Sequence, residues 1–189
     1  MLHRQVDVGG LESWLGTLID GMSRDQIVQQ IESSREYRAD QVQALYSQYL
    51  HRSADSLGLA ADVAFLQSGG TVEQLAAGIT VSPEFFQNSG GTNSGFLAAL
   101  YQDALGRPID STGAAGWGAL LSQGVSRSQV ASDILRSTEY DQRLVAGFYN
   151  SYLNRAADAG SMAWVNALLH GTRDESVVAA IMASAEFFQ

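Results

Sequence analysis

The chain has 189 residues, 46% of them hydrophobic and 16% charged, a balance of folded globular chains and not of disordered ones. Eleven arginines, no lysine and 20 acidic residues give a net charge of −9, which repels phosphate backbones and anionic membranes, so no nucleic-acid partner is expected. Cysteine is absent, which excludes disulfides, thiolate metal sites and cysteine nucleophiles, and no apolar run approaches the ~18 residues of a transmembrane segment.

The chain opens on MLHRQVDVGG, which has no basic region followed by an apolar stretch and so no signal-peptide pattern. One skeleton then recurs four times, so the chain reads as a repeat protein. Each copy has an arginine, an aspartate three residues on, a Gly and usually a Trp, a second Gly followed by Ser or Thr, and a closing Ser-x-Glu-aromatic. The first copy is truncated: Arg4, Asp7, Trp14, Gly21 and Ser34-Arg35-Glu36-Tyr37. The second has Arg52, Asp55, Gly69 and Ser82-Pro83-Glu84-Phe85, with Asp62 where the others have Trp. The third has Arg107, Asp110, Trp117, Gly124 and Ser137-Thr138-Glu139-Tyr140, the fourth Arg155, Asp158, Trp164, Gly171 and Ser184-Ala185-Glu186-Phe187. In every copy the second Gly and the closing Ser are 13 residues apart.

Each copy reads as three helices. A leading helix carries a Leu/Tyr stripe at helical spacing. A second helix follows the Asp and stops at the second Gly, where a left-handed C-cap is needed. A third starts at Ser23, Thr71, Ser126 or Thr172, each followed three residues later by Gln or Glu in a capping-box pattern. The closing Ser opens a further turn that runs on into the next leading helix, as over 35–50 and 138–153. The fold class is therefore all-α: tandem repeats of about three helices each, roughly 11–12 helices in two sub-bundles. Between the second and third copies, Asn88 to Gly95 contains no apolar residue and reads as a flexible linker. The expected domains are 1–87, a repeat pair with its first copy truncated; 88–95, the linker; and 96–189, a second pair.

The recurring polar residues are the candidate site. Arg4/Asp7, Arg52/Asp55, Arg107/Asp110 and Arg155/Asp158 could clamp an anion or a sugar hydroxyl, or could cap a helix and tie down its loop. Glu36, Glu84, Glu139 and Glu186 each open a helical turn, where a carboxylate favours the helix dipole, and they are natural partners for the arginines. A residue required in every repeat is most simply read as part of the scaffold. Trp14, Trp117 and Trp164 share one position and are the candidate ligand contacts, by sugar stacking, with a core role as the alternative. Tyr46, Tyr101 and Tyr149 read as core residues whose hydroxyls reach the rim. His3 and His51 precede their arginines, and His170 precedes a capping Gly; these positions suit helix C-termini better than a metal. No EF-hand ligand spacing, no Gly-x-Ser-x-Gly elbow and no cofactor motif appears, so neither metal, cofactor nor catalytic residue is expected.

Leu-Tyr-x-x-x-Leu-x-Arg-x-x-Asp, then Gly and Trp, Gly-x-Ser and Ser-x-Glu-Tyr/Phe resembles the bacterial family called domain of unknown function 4214. The resemblance extends over nearly the whole chain, with LYQDALGRPIDSTGAAGW and STEY its closest copy. The pattern is also distantly similar to phycobilisome linker domains. The resemblance implies an all-helical, non-enzymatic module of large bacterial proteins, extracellular or at the cell surface, in adhesion, surface-layer or matrix assembly. The implied partner is a protein or sister copies of the same array, with binding of a cell-surface glycan as the alternative.

Overall fold

Side-chain caps start most of the helices. The computed structural model describes residues 5–188, and among these the chain is all helical, with twelve α-helices and no strand. Leu2, His3 and Arg4 lie outside the described residues. Asp7, Asp55 and Asp110 accept the N–H groups of Gly10, Gly58 and Gly113, which starts α1 (Val8–Ile19), α4 (Ser56–Gln67) and α8 (Ser111–Ser122). Asp158 accepts from Gly160 and begins a 3-10 turn, Ala159–Ser161, that leads into α11 (Met162–Leu169). Gly21, Gly69, Gly124 and Gly171 stop these four helices with φ between +89° and +100°, the left-handed backbone expected there.

The third helices begin with less uniformity than the sequence suggests. Capping boxes form at Ser23/Gln26 before α2 (Arg24–Glu32) and at Thr71/Gln74 before α5 (Val72–Thr80). Ser126 accepts the Gln129 N–H before α9 (Arg127–Ile134), but the Gln129 side chain turns away to Asp133. The expected box at Thr172/Glu175 does not form. Arg173 holds the Glu175 carboxylate at 3.2 and 3.3 Å, and α12 (Asp174–Ala183) starts one residue late with Arg173 at its N-cap.

The closing serines open α3 (Arg35–Leu50) and α10 (Thr138–Leu153), each an unbroken helix of 16 residues. Ser82 opens the short α6 (Pro83–Asn88), with Pro at its first position. The stretch read as a flexible linker is here a capped turn. Gly90 and Gly91 take φ of +88° and +64°, and Thr92 caps α7 (Asn93–Leu100) by accepting the Gly95 N–H at 3.0 Å. A Cβ on Gly95 would overlap the Ser89 backbone carbonyl oxygen, which cannot rotate away. Gly95→Ala is therefore expected to destabilise by about 1–3 kcal/mol, read as a lowered urea midpoint, whereas Gly78→Ala, where the Cβ meets open space, should not.

After α7 the chain continues through a π-helical turn, Tyr101–Leu105, ending at Gly106 with φ of +68°. His51 and Asn154 hold the same place at the ends of α3 and α10, with φ of +54° and +51°. What joins His, Gly and Asn at this position is the left-handed backbone, not the C-terminal charge expected of His51. Replacing His51 with Gly relieves the Cβ strain and is expected to stabilise by about 0.5–1 kcal/mol, visible as a raised melting temperature.

Contacts divide the chain into two compact units, and both divisions fall inside helices, α3 and α10. One unit is Gln41–Arg143; in the other the described residues are 5–40 and 144–188. Residues 88–95 thus lie within the first of these. In the 41–143 unit α5 packs on α9 and α7 on α8. There Phe85 stands edge-on to both Tyr49 and Phe96, at centroid distances of 6.5 and 6.0 Å. In the other unit α2 packs on α12, and Val145, Tyr149, Val165, Val177 and Ile181 form a buried cluster.

Candidate functional site

Arg52, Arg107 and Arg155 each meet a glutamate 31 or 32 residues further on. Arg52 donates through Nε and Nη2 to the two carboxylate oxygens of Glu84, at 2.5 and 2.7 Å. Arg107 grips Glu139 and Arg155 grips Glu186 through the same pair of nitrogens. Such a two-point fork fixes direction as well as distance. The free Nη1 donates to the carbonyl oxygen of the next residue, Ser53, Pro108 or Ala156, at 2.9, 3.2 and 3.0 Å. It also donates to Asp110 Oδ2 at 3.1 Å and Asp158 Oδ2 at 2.9 Å, whereas Asp55 Oδ2 stands 3.9 Å from Arg52. Each aspartate therefore works twice: Oδ1 caps a helix while Oδ2 faces the guanidinium.

A tyrosine completes the clamp. The guanidinium carbon of Arg52 lies 5.2 Å from the Tyr46 ring centre, Arg107 lies 5.1 Å from Tyr101, and Arg155 lies 4.7 Å from Tyr149. The constant spacing of six from Tyr to Arg is the sequence signal for this contact. The first copy is described only in part. Arg4 lies outside the described residues, Asp7 caps α1, and Glu36 lies in the first turn of α3.

The clamps sit at the rim. The arginine side chains are 35–38% exposed and their glutamates 39–44%, so solvent screens the attraction. The fork holds the carboxyls of Glu84, Glu139 and Glu186 below the usual glutamate range. Asp55 and Asp110 are likewise lowered, first by the N–H groups they cap and then by their arginines. Chemically the clamp sets one guanidinium among two carboxylates, Nε and Nη2 facing the glutamate and Nη1 facing a backbone carbonyl and the aspartate. Its effect is to tie the end of a leading helix to the turn that opens 31 or 32 residues later.

The tryptophan position also resolves into hydrogen bonding. Trp117 Nε1 donates to the Tyr101 hydroxyl at 2.8 Å. In the second copy Asp62 replaces Trp, and the Tyr46 hydroxyl donates to Asp62 Oδ2 at 2.9 Å. The hydroxyl is acceptor in one copy and donor in the other, so Trp and Asp are interchangeable as its partner. Burial and this bond push the Tyr46 hydroxyl up to about 12. Trp164 is half-buried against the cluster of α10, α11 and α12, and Trp14 is half-buried on α1.

A second polar feature, Glu32, carries no motif. It closes α2, is 4% exposed, and neither carboxylate oxygen has a hydrogen-bond partner. Burial, reinforced by Glu175, pushes its carboxyl up to about 8. The signal that could have found it is the comparison of copies, which aligns Glu32 with Thr80, Leu135 and Met182. Elsewhere, an open cleft of about 590 Å³ between α1 and α2 is lined by Thr17, Asp20, Gln26, Gln29, Gln30 and Ser33, among others. Among the described residues no three His, Asp or Glu side chains come together as a metal site, and no helix is long and apolar enough to cross a membrane.

Residues 76–144 match the family model of a domain of unknown function, DUF4214. The chain contains a DUF4214 domain. That DUF4214 segment runs from within α5 to within α10 and holds one complete clamp, Arg107 with Asp110, Glu139 and Tyr101. The likeness read from the sequence reaches further, but the DUF4214 match covers these residues. No curated protein and no solved structure matches the chain.

Proposed function

We propose that the chain is a non-catalytic interaction or scaffolding module, built of four copies of a three-helix block. It would belong to a larger secreted or cell-surface bacterial protein and take part in adhesion, surface-layer or matrix assembly. The observation that carries this reading is the clamp. The polar residues that recur, and would otherwise be the binding or catalytic set, are bound to one another. Arg107 has Glu139, Asp110, the Pro108 carbonyl and the Tyr101 ring around it, Arg155 is surrounded alike, and Arg52 differs in that Asp55 stands 3.9 Å away. A side chain so engaged sets helix register and has most of its donors already bound within the chain. The location draws on the family resemblance alone. The partner is a protein or a sister copy of the array, met through shape and apolar contact.

Light scattering over a concentration series tests self-association: a mass that rises with concentration supports sister copies as partners, and a monomer throughout counts against them. The rival is a glycan-binding module, favoured by the half-buried faces of Trp14, Trp117 and Trp164. A glycan-array signal lost in Trp117→Ala, with helicity retained, would establish that rival in place of the scaffold reading.

A further inference from the structure

α2 has nine residues and buries two of them, Val28 and Glu32, one turn apart on one face. Half of what the helix hides is therefore ionisable. α2 packs on α12, and from there Glu175 faces Glu32. Among the described residues neither Glu32 oxygen has a hydrogen-bond partner.

The corresponding seam of the other unit, α5 on α9, is built without such a group. Leu135 stands two residues before Ser137, as Glu32 stands two before Ser34, and is 1% exposed. Glu73 is the second residue of α5, as Glu175 is of α12, and it lines one cleft together with Leu135. A leucine thus fits the place that Glu32 holds, so packing of the seam does not demand an acid.

The surroundings of Glu32 offer its charged form little relief. Burial raises the Glu175 carboxyl, but hydrogen bonds with Asp174 and Arg173 outweigh it and keep that carboxyl below the usual glutamate range. Arg173 is already engaged there, at 3.2 and 3.3 Å. Tyr37 of α3 and Tyr152 of α10 complete the group, and burial pushes both hydroxyls up, so they stay neutral. An unpaired charge is costly in such a place. Either the carboxyl keeps its proton, or the seam opens and water reaches it.

We propose that Glu32 is a proton-operated latch: protonated, it closes the α2–α12 seam, and loss of its proton lets 144–188 part from 5–40 while 41–143 stays folded. Glu32 ionises at about 8 in the closed seam and at 4.5 when water reaches it. The ratio of open to closed chains therefore rises about tenfold per pH unit between these values and then levels off. Asp141, the buried acid of the 41–143 unit beside Glu73, is pushed up only to about 6, so its influence ends where that of Glu32 continues. Neither α2 nor α12 belongs to that unit.

Hydrogen exchange of the intact chain tests the latch. Amide chemistry quickens with pH for every residue alike, so the amides of α5 and α9 serve as an internal clock. From about pH 6.5 to about pH 8, those of α2 and α12 should quicken by at least about tenfold more than the clock. The difference should vanish in Glu32→Gln and in Glu32→Leu, the residue type of the other seam. It should persist in Glu175→Gln, because burial acts on Glu32 more strongly than Glu175 does. A parent chain whose two seams quicken in step overturns the proposal, whether both stay closed or both open together. So does a difference that survives in the Glu32 variants.

Discussion

Replacing Phe85 with alanine is expected to destabilise the 41–143 unit by about 3–5 kcal/mol, the largest loss foreseen for one side chain here. The ring is 1% exposed and stands edge-on to Tyr49 and Phe96, so α3, α6 and α7 meet on it. Removing it forfeits the transfer free energy of the ring, leaves a cavity, and breaks two edge-to-face contacts at once. The adjacent Phe86 supplies the control. It is only half-buried, with Arg127 stacked on it, so Phe86→Ala should cost about 1 kcal/mol. Urea denaturation of the two variants should separate them clearly. Equal midpoints would show that the aromatic cluster is not the keystone of this unit.

The second large effect is a dependence on pH in which alkali weakens the fold. Glu32 faces Glu175 from α12, Tyr37 from α3 and Tyr152 from α10, Asp174 also acts on both tyrosines, and Arg173 is paired with Glu175. Its carboxyl is raised from 4.5 to about 8 in the folded chain. Below 4.5 it is protonated folded or unfolded and has no effect. From there upward the unfolded chain ionises while the folded one holds its proton, so stability falls until about pH 8 and then levels off. The loss at the plateau is on the order of a few kcal/mol. Asp141, pushed up to about 6 by burial and by Glu73, adds a smaller fall of the same sign in the 41–143 unit. The clamps act oppositely. The carboxyls of Glu84, Glu139 and Glu186 lie lower folded than unfolded, so their contribution is present above 4.5 and is lost as acid protonates them in the folded chain. Greatest stability is therefore expected near about pH 5, between the two losses. Glu32→Gln should flatten the slope between pH 5 and 9 and gain most at pH 8 and above. Melting temperatures of parent and variant that fall in parallel across that range would refute this account.

The all-helical class, the helix starts and the helix stops were legible in the sequence because each has a local cause. An aspartate that caps, a glycine that turns left-handed and a closing serine act within four residues of themselves. The run-on helices over 35–50 and 138–153 follow the same rule. The clamp was half legible. Arginine, aspartate and glutamate were marked as partners by recurrence, but the tyrosine beneath the guanidinium depends on the pitch of the preceding helix. What escaped depends on packing between distant segments. Thr172 has the right neighbours for a capping box, yet Arg173 captures the glutamate first. The 88–95 stretch has a linker's composition, but two left-handed glycines and a close approach at Gly95 make it a defined turn. Glu32 looks like any surface acid until α12 is laid over it.

One unit is discontinuous along the chain, and this bears on the order of events during synthesis. Residues 41–143 form a compact unit from one continuous stretch, so this part can collapse once it has left the ribosome. Residues 5–40 cannot, since α2 packs against α12, which is made only after the whole of that stretch. Closing so long a loop late means that α2 emerges well before its partner and waits with apolar side chains open to solvent. A nascent chain halted soon after Arg143 would hold a folded 41–143 stretch preceded by an α2 whose apolar side chains are still uncovered, and only the arrival of α12 covers them.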